Sequence, residues 1–445
     1  MFKKATSIVI ASALVISLLS ACAQGNNSTE TTAKATETKQ ATTTTAAVTE
    51  TQKKIGGEIL FMTYRDDLLN TNYPKWLEAF KAKYPDVKVN TATSKSYDQD
   101  LKIRMSSNDM PDVFTLGTYN YADSYKEQYM LPLDEVFPEL VGQWVGNDCN
   151  VHQVDKKTYG LIFGSTSFGL AYNKKIFSEM GLTPPKTLDE LIATGKKIKA
   201  TGKIGLAGCL KAAWVSTPYW RVAQARLDDQ KATFDKMTAS DAPFSVESTY
   251  GEMAALLEKL SKSGIMEDDP LSYEWETYLR DFGNGKVGMS FIYSSTPVNY
   301  PGRGDGALKL EDIGLVPFPY DNSGGPYTTL LMPDHSLILS NSSKNPEAAK
   351  AFYKWHMDEL IADYDLATAT ISAKKGTTTS IPYLEQFGNS EKKTVVSITY
   401  PTDFKALLDK AQINFSQQFA NIVGGTSLKD EFDKMNAAWK KAKAN

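Results

Sequence analysis

Apolar residues recur along this chain with two periods, and the alternation of those periods predicts its architecture. The run Gly57-Glu58-Ile59-Leu60-Phe61-Met62 is short and strand-like. Pro74 then suits the first turn of a helix in which Trp76, Leu77, Phe80 and Tyr84 share one face, and Pro85-Asp86 breaks it. Val87-Lys88-Val89 alternates as a strand, the stretch from Tyr97 to about Ser107 is helical, and Pro111-Asp112-Val113-Phe114 begins another strand. Gly160-Leu161-Ile162-Phe163 and Phe168-Gly169-Leu170-Ala171-Tyr172 read as two strands joined by a Gly-Ser turn. Thr187 with Glu190 forms a capping-box pattern that opens a helix through Leu191, Ile192 and Ile198. A Trp/Tyr-rich stretch from Trp214 to Trp220 leads into helical sequence ending near Phe282, and Val287 to Ile292 is a strand. Asn345-Pro346-Glu347 is expected to cap a late helix through Phe352 and Trp355. Strands alternating with helices of this length predict an α/β fold, with sheets covered by helices.

The N-terminus departs from this pattern. Lys3 and Lys4 precede an apolar run from Ile8 to Leu19, too short to span a bilayer and suited to a signal peptide. It ends in Leu19-Ser20-Ala21-Cys22, which resembles the lipobox of bacterial lipoproteins. That resemblance implies cleavage before Cys22, with a lipid on its thiol, so residues 1–22 are the signal peptide. Residues 23–54 are rich in Thr, Ala, Glu, Gln and Lys, with too few branched aliphatics to build a core. They are expected to form a disordered tether, reaching roughly 30 Å on average at about 5–6 Å per square root of residue number. The expected location is the outer face of the cell membrane, held there by lipid.

About 390 residues follow, more than one core usually serves, so two lobes are expected. Forty-nine basic residues against 52 acidic ones give neither a nucleic-acid footprint nor a polybasic membrane patch. His152, His335 and His356 lack metal-ligand spacing, and no metal or cofactor is expected. Cys149 and Cys209 could pair outside the cell, but two cysteines are not a disulfide framework. Twenty-two Tyr, 19 Phe and 7 Trp exceed what two cores need, which directs attention to an aromatic binding surface.

Six stretches taken together resemble the family 1 extracellular solute-binding proteins, the maltose-binding-like class of ABC transporters. They are WLEAFKAKYPDVKV (76–89), DMPDVFTL (109–116), GLAYNKKIF (169–177), PPKTLDEL (184–191), FGNGKVGMSF (282–291) and SKNPEAAKAF (343–352). The resemblance implies a two-lobe, type II periplasmic-binding-protein-like fold, a ligand cleft between the lobes and hinge closure of the kind known for such proteins. It places crossings near Tyr172-Asn173, near Glu311-Asp312 and after the helix ending near His356. Residues 55–171 and 312–356 would then form lobe 1, and residues 172–311 and 357–445 lobe 2. The segment between Gly324-Gly325 and Ser340 is longer than the family leads one to expect. The implied partners are a carbohydrate ligand and the permease subunits of an ABC importer, with the chain itself a monomer and no enzyme.

A sugar presents apolar C–H faces and a rim of hydroxyls, so rings must cover the faces and polar groups must bond the rim. Loops beyond the carboxyl ends of strands are where such groups gather. Tyr64, Arg65 and Asp66 follow the first strand, and Tyr119 and Asn120 follow PDVF. Trp214, Tyr219 and Trp220 cluster in the second lobe, and Tyr293 follows the strand from Lys286. These nine are the candidate ligand contacts.

Other motifs carry less. Gly283 to Gly288 reads GxGxxG, but with the helix before and the strand after, the reverse of a dinucleotide site. Gly164 to Gly169 has P-loop spacing, yet Leu170 stands where lysine is required. The competing readings are a secreted glycoside hydrolase, which needs two carboxylates at catalytic separation, and a lipoprotein that binds another small polar solute or a surface polymer.

Overall fold

The computed structural model describes residues 54–444 apart from 95, 118–127, 145–150, 155, 307, 397 and 399. Its first sheet contains β1 (Gly57–Met62), β2 (Val87–Ala92), β3 (Val113–Leu116), β4 (Val151–Val154) and β5 (Lys157–Ile162). Next in the chain are β6 (Gly164–Thr166) and β7 (Phe168–Asn173), then, after the helix Leu188–Lys199, β8 (Ile204–Ala207). The remainder are β9 (Val287–Tyr293), β10 (Ile313–Val316), β11 (Tyr327–Pro333), β12 (Ser336–Leu339), β13 (Ile371–Ser372) and β14 (Lys392–Val396).

These strands form three sheets, ordered β2-β1-β3-β12-β5-β4, β10-β7-β9-β8 and β13-β6-β11-β14. The first two are the sheets of the two lobes. Strands β3, β5, β7, β9 and β12 are buried nearly throughout, as strands covered on both faces are. In β1, Phe61 belongs to a cluster with Phe80, Leu161 and Phe352, while the next residue, Met62, packs with Leu101, Met105 and Phe114. In β7, Leu170 and Tyr172 enter one core and Ala171 enters another. Successive side chains point to opposite faces, so one strand feeds two helical layers. Each fully buried ring such as Phe61 contributes roughly 1.5–3 kcal/mol by leaving water.

Some helices follow the local rules and others do not. Tyr73–Lys83 starts with Pro in its first turn and buries Tyr73, Trp76 and Phe80. The Thr187 hydroxyl accepts from Glu190 N at 3.2 Å, as a capping box requires, but the Glu190 carboxylate accepts from Lys186 N, one residue before the cap. Asn345 does not cap its helix. Its amide is spent on the Glu58 carbonyl at 2.9 Å, tying the helix Pro346–Trp355 to β1.

The third sheet is the finding that the local pattern concealed. β6 joins β5 of the first sheet to β7 of the second, and β11 leads from β10 of the second back to β12 of the first. β13 follows a helix whose Ile361 and Tyr364 lie in the first lobe's core, and precedes Tyr383 and Phe387 in a core of the second. All three crossings therefore pair in one sheet, with Met332 opposite Thr166 and Ile371 opposite Ser165. The Gly-Ser segment expected to be a turn is β6 itself. Tyr172 and Asn173 pair with Gly314 and Ile313 within the second sheet, directly after Glu311-Asp312. The segment beyond Gly325, longer than expected, supplies β11 and β12. Past His356 the helical region continues to Thr368, with Met357, Leu360, Ile361 and Tyr364 in the same core as Phe61 and Phe352, and β13 follows it.

Candidate functional site

In the first sheet β1 lies between β2 and β3, parallel to both, so the chain leaves β1 to one side and later returns to the other. The carboxyl ends of β1 and β3 thus flank a topological switch point, where open α/β sheets leave a crevice. Tyr64 stands there, its backbone N–H donating to the Thr115 hydroxyl of β3 at 3.3 Å. Its phenol donates to the Asp334 carboxylate, 3.0 Å from Oδ2 and 3.1 Å from Oδ1. Its ring stacks on His335 with centroids 3.6 Å apart and planes 16° off parallel. Asp334 also lies 3.1 Å from His335 Nδ1. Two residues just past β11 therefore hold a side chain just past β1.

The electrostatics of this group are consistent. Burial and the negative charge of Asp334 push the Tyr64 phenol well above its usual range, so it remains a donor. Burial alone would raise Asp334, but the hydrogen bond and charge of His335, with the charge of Arg65, hold its carboxyl below the ordinary value. Arg65 is not directed at an open site. Its Nε and Nη2 make a two-pronged bond to Asp67 at 2.8 and 2.7 Å. Asp66 is exposed at the start of the short helix Asp66–Leu69.

At the far end of β6 the character changes. The Thr166 hydroxyl lies 3.2 Å from the hydroxyls of Ser294 and Ser295, and Ser167 N donates to Ser294 Oγ at 2.9 Å. These serines directly follow Tyr293, the last residue of β9. The Tyr293 ring meets Phe168 edge-on at 4.8 Å and lies 6.1 Å from Trp214. Trp214 meets Trp275 at 4.6 Å and is 42% exposed, an unusual exposure for so large a ring. Tyr293, Trp214 and Trp275 form a partly solvent-facing aromatic wall on lobe 2. Asp334 N donates to the Gly164 carbonyl at 2.9 Å, so the polar group and the aromatic wall are fastened to opposite ends of one three-residue strand. Three residues of strand span roughly 10 Å.

Of the nine candidate contacts, Tyr64, Trp214 and Tyr293 thus fall around β6. Two others are structural. Tyr219 is 4% exposed and packs edge-on against Phe291 and Phe318, because Tyr219, Val222 and Ala223 share the inward face of their helix. Trp220 stacks on Phe415 at 5.4 Å, carries the Arg221 guanidinium 4.4 Å from its centre and donates to Ser416 at 2.9 Å, so it fastens two helices together. Tyr119, Asn120, Cys22 and Cys149 lie outside the described residues. Cys209 is buried, and burial pushes its thiol up to about 12. Asp334, His335 and Trp275 were not anticipated. The extra length of the segment after Gly325 was the one signal pointing to the first two.

A family model described as bacterial extracellular solute-binding protein matches residues 68–357. A putative binding protein of Brucella abortus is 26% identical over 282 residues, 61% of this chain and 65% of that protein. The chain thus matches a little under two thirds of that relative's length. The melibiose/raffinose/stachyose-binding protein of Bacillus subtilis is 26% identical over 180 residues, 39% of each chain. Among solved structures, the binding protein of an ABC transporter from Bifidobacterium animalis subsp. lactis, in complex with mannobiose, superposes with a TM-score of 0.72 at 22% identity. That match covers 88% of this chain and 96% of the other, and it shows a shared fold.

Proposed function

We propose that this chain, which belongs to the bacterial extracellular solute-binding protein family, captures an oligosaccharide between its lobes and releases it unaltered to an ABC importer. The observation that supports this most is the arrangement around β6, with rings on one side and a hydrogen-bonding group on the other. Stacked rings suit the C–H face of a pyranose, and a charged carboxylate with a phenol and an imidazole suits its hydroxyls. Contacts from both lobes are completed only when the lobes close, so a bound sugar shifts the population towards the closed form. Named relatives that bind raffinose, stachyose or mannobiose support the choice of an oligosaccharide.

The same reading holds the folded part at the outer membrane face through a lipid on Cys22 and the 23–54 tether, and makes the permease subunits its partner. The test is a thermal-shift and calorimetry panel of mannobiose, mannotriose, melibiose, raffinose and stachyose. At least one should bind, raise the unfolding temperature by mass action and be recovered intact. Recovery of cleaved sugar, or no binding to any member, would remove the proposal.

A further inference from the structure

A concavity adjoins the aromatic wall through Ala213, the residue before Trp214. It is bounded by Leu210, Lys211 and Ala213 after β8, by Leu271, and by Gln417, Asn421 and Thr426 on or just after the helix Phe415–Val423. Its volume is about 310 Å³. That is at the small end of ligand sites, with room for about one or two sugar rings.

The chemistry of its lining is specific in type. Leu210 and Ala420 form a buried apolar floor, and Leu271 is 37% exposed at the rim. Gln417 Nε2 donates to Asn421 Oδ1 at 2.9 Å, and Asn421 Nδ2 donates to Glu431 at 2.9 Å. Gln417 and the exposed Leu271 both line the concavity. Lys211 is ion-paired to Glu274, so the concavity does not present an unbalanced cation to an anionic ligand. An apolar floor with neutral amides on the rim matches a hydroxyl-rich, uncharged ring. Its position matters as much, because Ala213 in its wall is the residue immediately before the exposed Trp214. The short turn Ala213–Ser216 is also fixed against this helix, through Ser216 Oγ donating to the Ser416 carbonyl at 3.0 Å. The wall and the groove therefore share one rigid element.

We infer that this groove is a distal subsite, which takes the outer units of an oligosaccharide extending past Trp214. The inference rests on the oligosaccharide reading above and narrows it to ligands of three or more units. The test compares chain lengths by calorimetry, with melibiose, raffinose and stachyose as one series and mannobiose and mannotriose as another. In the series that binds, wild-type affinity should rise about tenfold from the shortest to the longest member. Gln417→Trp, which fills the groove from an exposed helix position, should abolish that rise and leave disaccharide affinity within about twofold. Gln417→Ala, the milder variant, should reduce the rise, and thermal unfolding of both variants checks that they are folded.

An unchanged length dependence in folded Gln417→Trp would overturn the subsite and leave the oligosaccharide reading intact. So would a wild-type protein that binds the disaccharide as tightly as the longer members. Failure of the wild type to bind any member would overturn both.

Discussion

The two ends of β6 solve different physical problems. On the lobe 1 side the groups are polar and already paired with one another: Tyr64 to Asp334, Asp334 to His335, Arg65 to Asp67. On the lobe 2 side Trp214, Trp275 and Tyr293 are held by ring contacts, and Trp214 still faces solvent. A polar group left unpaired in a partly buried place costs stability, so lobe 1 must satisfy its own donors before any ligand arrives. A ring left exposed costs far less and keeps its surface for a guest. The contrast assigns binding strength chiefly to lobe 2 and orientation chiefly to lobe 1, and substitutions test each half of that assignment.

Stability should respond most strongly at the polar end. Asp365 is buried beside β13, with Oδ1 accepting from Thr370 at 2.8 Å and Oδ2 without a partner among the described residues. Burial, helped by the charge of Asp334, pushes its carboxyl up to about 7. A folded-state value above the unfolded one means that the folded protein keeps this proton while the unfolded chain releases it. Stability is therefore lost as pH rises from about 4 to about 7, by at most about 4 kcal/mol for a shift of about three units. Asp365→Asn should flatten that part of the stability profile and raise the unfolding temperature at pH 8. An unchanged profile would show that Asp365 is already ionised in the folded protein across this range.

Trp220→Ala and Trp214→Ala divide lobe 2 in the same way. Trp220 joins two helices, so its removal should lower stability by about 3 kcal/mol in urea unfolding while the folded protein still binds its sugar. Trp214 makes its ring contacts with Trp275 and Tyr293 and is otherwise 42% exposed. Trp214→Ala should weaken binding about 30-fold, close to 2 kcal/mol, with an unfolding temperature near that of the wild type. The reverse pattern, with Trp214 governing stability and Trp220 governing binding, would invert the assignment of the two rings.

Much of the fold was legible because its signals are local. Pro74 with Trp76 and Phe80 defines one helix, and Thr187 with Glu190 starts another. The family stretches extended this to two lobes. β6 was not legible, because three small polar residues between two strands carry a turn's composition, and only β11 and β13, far away in the chain, make them a strand. Asp334 and His335 were hidden for a related reason: their partner Tyr64 lies 270 residues earlier. Within the aromatic stretch, composition could not separate platform from core. Helical spacing could have done so for Tyr219, which lies three and four residues before buried Val222 and Ala223. Trp214 precedes that helix, in a short turn whose direction depends on contacts with residues near 416.

The smallest effect is the sharpest test of lobe 1. Tyr64→Phe keeps the ring that stacks on His335 and removes only the hydroxyl bonded to Asp334. If lobe 1 orients the ligand through a preformed polar group, Asp334 loses a donor and gains freedom to rotate. Binding should then weaken by about 1 kcal/mol, roughly fivefold, because one hydrogen bond to a charged group has been exchanged for water. The loss should also fall unevenly across sugars, larger for those whose hydroxyls Asp334 would meet and smaller for epimers at that carbon. Calorimetry of Tyr64→Phe against epimeric pairs reads this directly. A uniform loss across epimers would mean that Tyr64 merely supports the backbone of the β1 loop, and orientation would have to be sought on the lobe 2 side of β6.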